Sequence, residues 1–284
     1  NHNMSLCTLK EVLAYAEEKK AAIPAFNIDN MEIIQSIFKA SEEEEYPVIL
    51  AVGQAAIRDG RMALLAAAAR AFAESSPIPV VIHLDHGQSL EQVRMALDCG
   101  FTSVMIDGSK LPFAENVKVS EETLKLAEAA GASVEAELGC ILGVEDDISH
   151  DDNKPFLVRT EDVKAFNEAV TVDALAVGIG NAHGIYKGLP NLDFERLSEV
   201  NDISAVPLVL HGGSGIPADM IQKAISLGIR KINVATEIRL AYVKGVINAV
   251  ESKDFYPIAN SGKAEVYDLV KEKIRLFKNQ ITRQ

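Results

Sequence analysis

The sequence predicts an α/β chain folded as a closed (β/α)8 barrel of the TIM type with an additional C-terminal helix. Three observations predict it. Eight short segments are almost continuously apolar or β-branched, as strands covered on both faces of a parallel sheet are. Stretches with helical periodicity separate them, and that alternation, repeated eight times, indicates closure. The first strand runs into AFNIDN rather than GxGxxG, so the phosphate turn of a doubly wound open sheet is missing.

In chain order the predicted strands are 22–28 (AIPAFNI), 48–53 (VILAVG), 80–85 (VVIHLD), 103–107 (SVMID), 133–138 (SVEAEL), 174–180 (ALAVGIG), 208–211 (LVLH) and 231–236 (KINVAT). Apolar residues recur at helical spacing over 31–45, 62–75, 90–99, 119–130, 160–169 and 218–227. After the eighth strand, 238–252 and 263–278 also read as helices. One completes the barrel, and the other is an appendage that caps it or meets a second subunit. Residues 139–159 lack clear periodicity and contain the acidic GVEDDISHDDNKP. A stretch that long is usually functional or disordered, and a lid is the functional reading.

No Gly/Ser/Pro-rich linker divides the chain, so 4–284 is expected to be one domain, with 1–3 read as a tag remnant ahead of Met4. The formal charge of -13 argues against nucleic acid and anionic membranes as partners. No apolar run approaches the roughly 20 residues of a membrane span. Cys7, Cys99 and Cys140 are too few and too scattered for a disulfide framework, which favours a cytoplasmic setting.

The chemistry concentrates at strand ends. His86, His183 and His211 sit where VVIHLDHG, ALAVGIGNAHG and LVLHGGSG run out of strand into turn. In one parallel barrel these imidazoles converge, and three of them with an open fourth position make a catalytic zinc site. Asp85 beside His86, and Glu145 in the acidic loop, add proton-transfer groups. Asp85 and His86 would face opposite ways unless the strand has ended, and Gly87 favours that ending. His83 reads as packing or support, and His150 as solvated.

Glu135 and Glu137 share a strand face, where buried carboxylates are costly unless paired. Glu137 is a candidate to orient a ligand imidazole or to act as an alternative ligand, with a structural ion pair as the plain alternative. HGGSG after the seventh strand and NVATE at the eighth lie where barrels commonly hold phosphate. Glycines admit the anion, and Ser214, Asn233 and Thr236 add donors.

HLDHG, VEAELG, GIGNAHGIYKG, LVLHGGSGIP and KINVATE, in this order and spacing, resemble the class II (zinc-dependent) ketose-bisphosphate aldolases, with fructose- and tagatose-bisphosphate enzymes the nearest types. The resemblance spans Leu6 to about Phe277. It implies a homodimer or homotetramer that reversibly cleaves a ketose phosphate to dihydroxyacetone phosphate and an aldehyde, with a zinc ion and often a monovalent cation (Na+ or K+) near the phosphate. It implies that His86, His183 and His211 hold the zinc, that Asp85 protonates the developing C4 hydroxyl, and that Glu145 shuttles a proton at the dihydroxyacetone phosphate carbon. Gly184, Gly212, Gly213, Ser214, Asn233, Ala235 and Thr236 fall at phosphate- and substrate-contacting positions.

Three departures bear on the substrate. Ala235 stands where fructose enzymes often carry Asp and tagatose types carry Ala. Gly53 replaces the usual Ser or Thr, and Tyr256 falls where many members place an arginine that grips the far phosphate from a neighbouring subunit. Tagatose 1,6-bisphosphate is the best single expectation, fructose 1,6-bisphosphate the next, and a ketose 1-monophosphate an alternative. A non-catalytic partner subunit of a tagatose aldolase is a further alternative, opposed by the retained metal and proton-transfer positions. A metal-assisted hydrolase fits the histidines but not the phosphate-holding turns.

Overall fold

The computed structural model describes residues 5–139, 142–145, 148–149 and 157–279, with side chains excluded at 142–145 and 148–149. Eight strands close a parallel barrel: β1 (Ile23–Asn27), β2 (Val48–Val52), β3 (Val80–Gly87), β4 (Ser103–Ile106), β5 (Ser133–Leu138), β6 (Ala174–Val177), β7 (Leu208–Leu210) and β8 (Ile229–Val234). Each pairs with its sequence neighbour, and β8 closes onto β1 through Ile23↔Lys231 and Ala25↔Asn233. Nearly every strand residue is buried, as expected for strands packed inside and out.

The helices are α1 (Leu9–Lys19), α2 (Met31–Glu43), α3 (Gln54–Arg58), α4 (Met62–Ser75), α5 (Leu90–Asp98), α6 (Phe113–Ala130), α7 (Thr160–Ala169), α8 (Phe194–Ile203), α9 (Ala218–Ser226), α10 (Thr236–Ala249) and α11 (Phe255–Phe277). Sequence periodicity did not single out α1, although Thr8 and Glu11 form a capping box and Leu9, Val12, Leu13 and Ala16 make a buried stripe. The segment ahead of α1 ties to β3 through Val80 N to Ser5 O and Cys7 N to Val80 O, so the helix packs at the amino-terminal end of the strands. The short α3 and α8 were also missed.

α6 begins at Phe113 rather than 119, and α11 at Phe255 rather than 263. Pro257 does not stop α11, because in a first helical turn its missing N–H has no partner to lose. The eighth barrel helix is α11, which packs on α2, β1 and α9, while α10 packs chiefly on α11 and is the appendage. The two helices cross closely at Gly245 and Gly262, where a Cβ would strike the Ser261 carbonyl and the Tyr242 ring.

The expected lid carries local structure. Leu142–Glu145 pairs parallel with the short strand Ala182–His183 and antiparallel with Ile148–Ser149. The Glu145 backbone therefore lies beside the strand that delivers His183. The Glu145 side chain, Cys140, His150 and residues 1–3 lie outside what is described.

Candidate active site

His86, His183 and His211 leave three different strand ends and meet. His86 is the penultimate residue of β3, His211 directly follows β7, and His183 ends the short strand beyond β6. The ring centroids are 5.0 Å apart for His86–His183, 4.8 Å for His86–His211 and 6.0 Å for His183–His211. All three rings are buried, and one nitrogen of each lies within 4.8 Å of the others. Three nitrogens gathered this closely could hold one metal ion between them.

β3 resolves the problem of direction at Asp85 and His86. His86 adopts a left-handed φ of +47°, and the register against β4 slips between Leu84 and Gly87. Alternation is broken there, so consecutive side chains address the same mouth, with Asp85 Oδ1 3.8 Å from His86 Nε2. A non-glycine residue in this region costs about 1–2 kcal/mol. At Gly87 a Cβ would collide with the Met105 carbonyl, which explains the glycine after HLDH.

Carboxylates surround the rings. His86 Nδ1 lies 2.9 Å from Asp107 Oδ2, and Asp107 Oδ1 accepts from Ser109 N and Oγ at 3.1 and 2.6 Å. His211 Nε2 donates to Glu135 Oε2 at 2.8 Å, and Glu137 Oε1 is 3.0 Å from His211 Nδ1. Glu135 Oε1 also meets the buried Lys231 ammonium at 2.9 Å. Glu135 is thus an ion-pair partner and Glu137 a neighbour of the imidazoles. His83, facing Ser103 Oγ at 2.7 Å, supports the barrel interior. Burial and the Lys231 charge push His83 down to about 3, so it is neutral.

The donor set fits a divalent cation of zinc type. His86 Nε2 is buried without a hydrogen-bond partner among the described residues. Burial opposes charge on His86, yet Asp85 and Asp107 raise it well above the ordinary imidazole value. His211 likewise rises to about 9 against its burial, through Glu135 and Glu137. A pocket that stabilises positive charge on imidazoles stabilises a cation in place of those protons, and nitrogen donors suit zinc. His86, Asp107 and Glu137 form a second, overlapping donor group.

The glycine-rich turns lie alongside. Gly184 and Gly212 have φ of +84° and +64°, and a Cβ on Gly212 would overlap the Ala182 carbonyl. Gly213 N donates to Asn233 O at 2.9 Å, joining the ends of β7 and β8. Ser214 Oγ accepts from Glu237 N at 3.1 Å, and Ala235 and Thr236 stand at the start of α10. Asn233 Oδ1 accepts from Lys231 Nζ at 2.5 Å, so its acceptor is occupied within the barrel.

Sequence reading missed several supports. Asn181 Nδ2 donates to His211 O at 2.8 Å. Tyr186 Oη accepts from Ala182 N and donates to Gly212 O, each at 2.9 Å, and burial pushes its pKa up to about 12. Both flank His183 in GIGNAHGIY, which was the available signal. Asp107 directly follows β4, and Asn27 is buried at the end of β1 with both amide atoms lacking a hydrogen bond among the described residues.

A family model described as fructose-bisphosphate aldolase class-II matches residues 7–281. Among solved structures, the YdjI aldolase from Escherichia coli K12 is 33% identical, with a TM-score of 0.87, and the match covers 98% of this chain and 100% of that one. A protein of Coccidioides immitis, described provisionally as a fructose-1,6-biphosphate aldolase, is 29% identical over 96% of each chain, with a TM-score of 0.88. The fructose-bisphosphate aldolase of Campylobacter jejuni has the same fold at 21% identity and a TM-score of 0.82, covering 97% of this chain and 96% of that one.

Proposed function

The chain belongs to the class II fructose-bisphosphate aldolase family, and on that premise we propose a zinc-dependent lyase that reversibly cleaves a ketose bisphosphate to dihydroxyacetone phosphate and glyceraldehyde 3-phosphate. Tagatose 1,6-bisphosphate is the leading substrate and fructose 1,6-bisphosphate the next. The observation that carries the reading is the meeting of three buried imidazoles from three strand ends inside a ring of carboxylates.

His86, His183 and His211 would hold the metal. Zinc there supplies Lewis-acid polarisation of an oxygen next to the reacting carbons. Asp85, beside His86 at the mouth, takes the C4 hydroxyl proton as the C3–C4 bond breaks and returns it in the condensation direction. The aldehyde departs from C4, and the electron pair left on C3 becomes an enediolate. Glu145, from the strand paired beside His183, delivers a proton to that carbon. The turns at Gly184, Gly212, Gly213 and Ser214 and the start of α10 at Ala235 and Thr236 hold the phosphate, with Asn233 and a monovalent cation beside them.

A second reading, cleavage of a ketose 1-monophosphate, is favoured by Tyr256. It is 71% exposed rather than packed, it stacks edge-on against Phe255, and it carries no charge for a far phosphate. We place the enzyme in the cytoplasm as a homodimer or homotetramer. The exposed apolar side chains of α10 support the assembly.

Chelator treatment should abolish cleavage and zinc or cobalt should restore it, assayed across both bisphosphates and ketose 1-monophosphates. Activity that survives chelation and is trapped by borohydride would overturn the mechanism, and release of inorganic phosphate would indicate a hydrolase.

A further inference from the structure

The turn that aims Asp85 and His86 is held from outside β3 by one side chain. Gln54, the first residue of α3 and 2% exposed, places Nε2 2.9 Å from the His86 carbonyl oxygen, 3.2 Å from that of Asp85 and 2.8 Å from Gln92 Oε1. Gln92 Nε2 donates back to Gln54 Oε1 at 2.9 Å, and Gln92 Oε1 also accepts from Gln88 N at 3.0 Å. The two carboxamides therefore form a reciprocal pair linking the loop after β2 to the start of α5. One Gln54 N–H serves Gln92, and the other is shared by the two carbonyls.

This turn is where the backbone leaves its preferred geometry. His86 is left-handed and the β3–β4 register slips, so a regular strand would send Asp85 and His86 to opposite faces. The carbonyls of Asp85 and of the left-handed His86 itself are the two that Gln54 engages. Removing the donor leaves both buried acceptors without this partner and frees the turn to relax toward regular strand geometry. We propose that Gln54, braced by Gln92, is a positioning residue that holds the Asp85–His86 turn in its site-forming conformation. It acts on His86 through the backbone and is not itself a ligand.

The inference rests on the metal-site reading above, and its test separates the two. Gln54→Glu keeps the shape but presents oxygens to three acceptors, and Gln54→Met keeps the bulk without a donor. Co2+ is titrated against a competing chelator into metal-stripped wild type and variants, and its visible absorption is recorded. Wild type should take one Co2+ per chain; if it does not, the metal-site reading itself fails. In the variants, Co2+ affinity and kcat should each fall about 10–100-fold, with a changed spectrum and KM within about twofold. Wild-type affinity and spectrum in a folded variant overturn the proposal, even if its melting temperature drops. Should neither variant fold, Gln92→Met, at a half-buried site, decides: weaker Co2+ binding with a shifted spectrum supports the brace, and an unchanged pair overturns it.

Discussion

The Lys231 ammonium lies 2.9 Å from Glu135 Oε1, with both side chains completely buried inside the barrel. Glu135 turns its other oxygen to His211 Nε2, and His211 Nδ1 lies 3.0 Å from Glu137 Oε1. The pair therefore links the barrel interior to the orientation of a candidate ligand. Removing one member of a buried pair leaves an uncompensated charge, so Lys231→Met should destabilise the metal-free protein by about 3–5 kcal/mol. Urea unfolding measures it, and a loss below about 1 kcal/mol would show that the carboxylate is neutralised some other way.

The barrel and the meeting of the histidines were legible because both follow from period and position. Apolar runs of strand length fix where each β-strand ends, and parallel closure then brings His86, His183 and His211 to one rim. What the sequence hid depends on geometry that periodicity does not encode. Alternation alone predicts opposed side chains at Asp85 and His86, and only the left-handed φ with the register slip reconciles them. Lys231, beside Arg230 in IRKINV, gives no hint in sequence of its partner Glu135, which lies three strands away. The early start of α11 was hidden by Pro257, a breaker inside a helix but not in its first turn.

Asp85 is buried beside His86, yet it belongs to neither candidate donor group. Asp85→Ala should therefore keep its metal, while turnover falls about 10²–10⁴-fold, the range for loss of a positioned acid–base group. Metal content and cleavage rate measured on the same preparation separate the two effects. Unchanged turnover would remove Asp85 from the proton transfer.

For Glu145 the relevant fact is its strand, Leu142–Glu145, in which Gly143 pairs with His183. In the proposed mechanism the base is carried on this strand, outside the barrel. Glu145→Ala should slow exchange of the dihydroxyacetone phosphate methylene proton with solvent deuterium by about 10²–10⁴-fold. Normal exchange, followed by proton NMR without any aldehyde present, would assign the step to another group.

Leu240, Val243 and Ile247 along α10, with Val250 just past its end, are spaced three or four residues apart and are 53, 50, 63 and 48% exposed. Phe255 and Tyr256, at the start of α11, are exposed as well, at 68 and 71%. The opposite side of α10 is already taken by α11, pressed close at Gly245 and Gly262. Contiguous exposed apolar residues on one face of an appended helix mark a surface that another protein covers, and a second copy is the occupant consistent with the proposed homo-oligomer. Leu240→Glu combined with Ile247→Glu puts two like charges on that face and should convert the assembly to monomer in sedimentation velocity. Retention of the wild-type mass by the double variant would place the subunit contact elsewhere, and a monomeric wild type would remove it altogether.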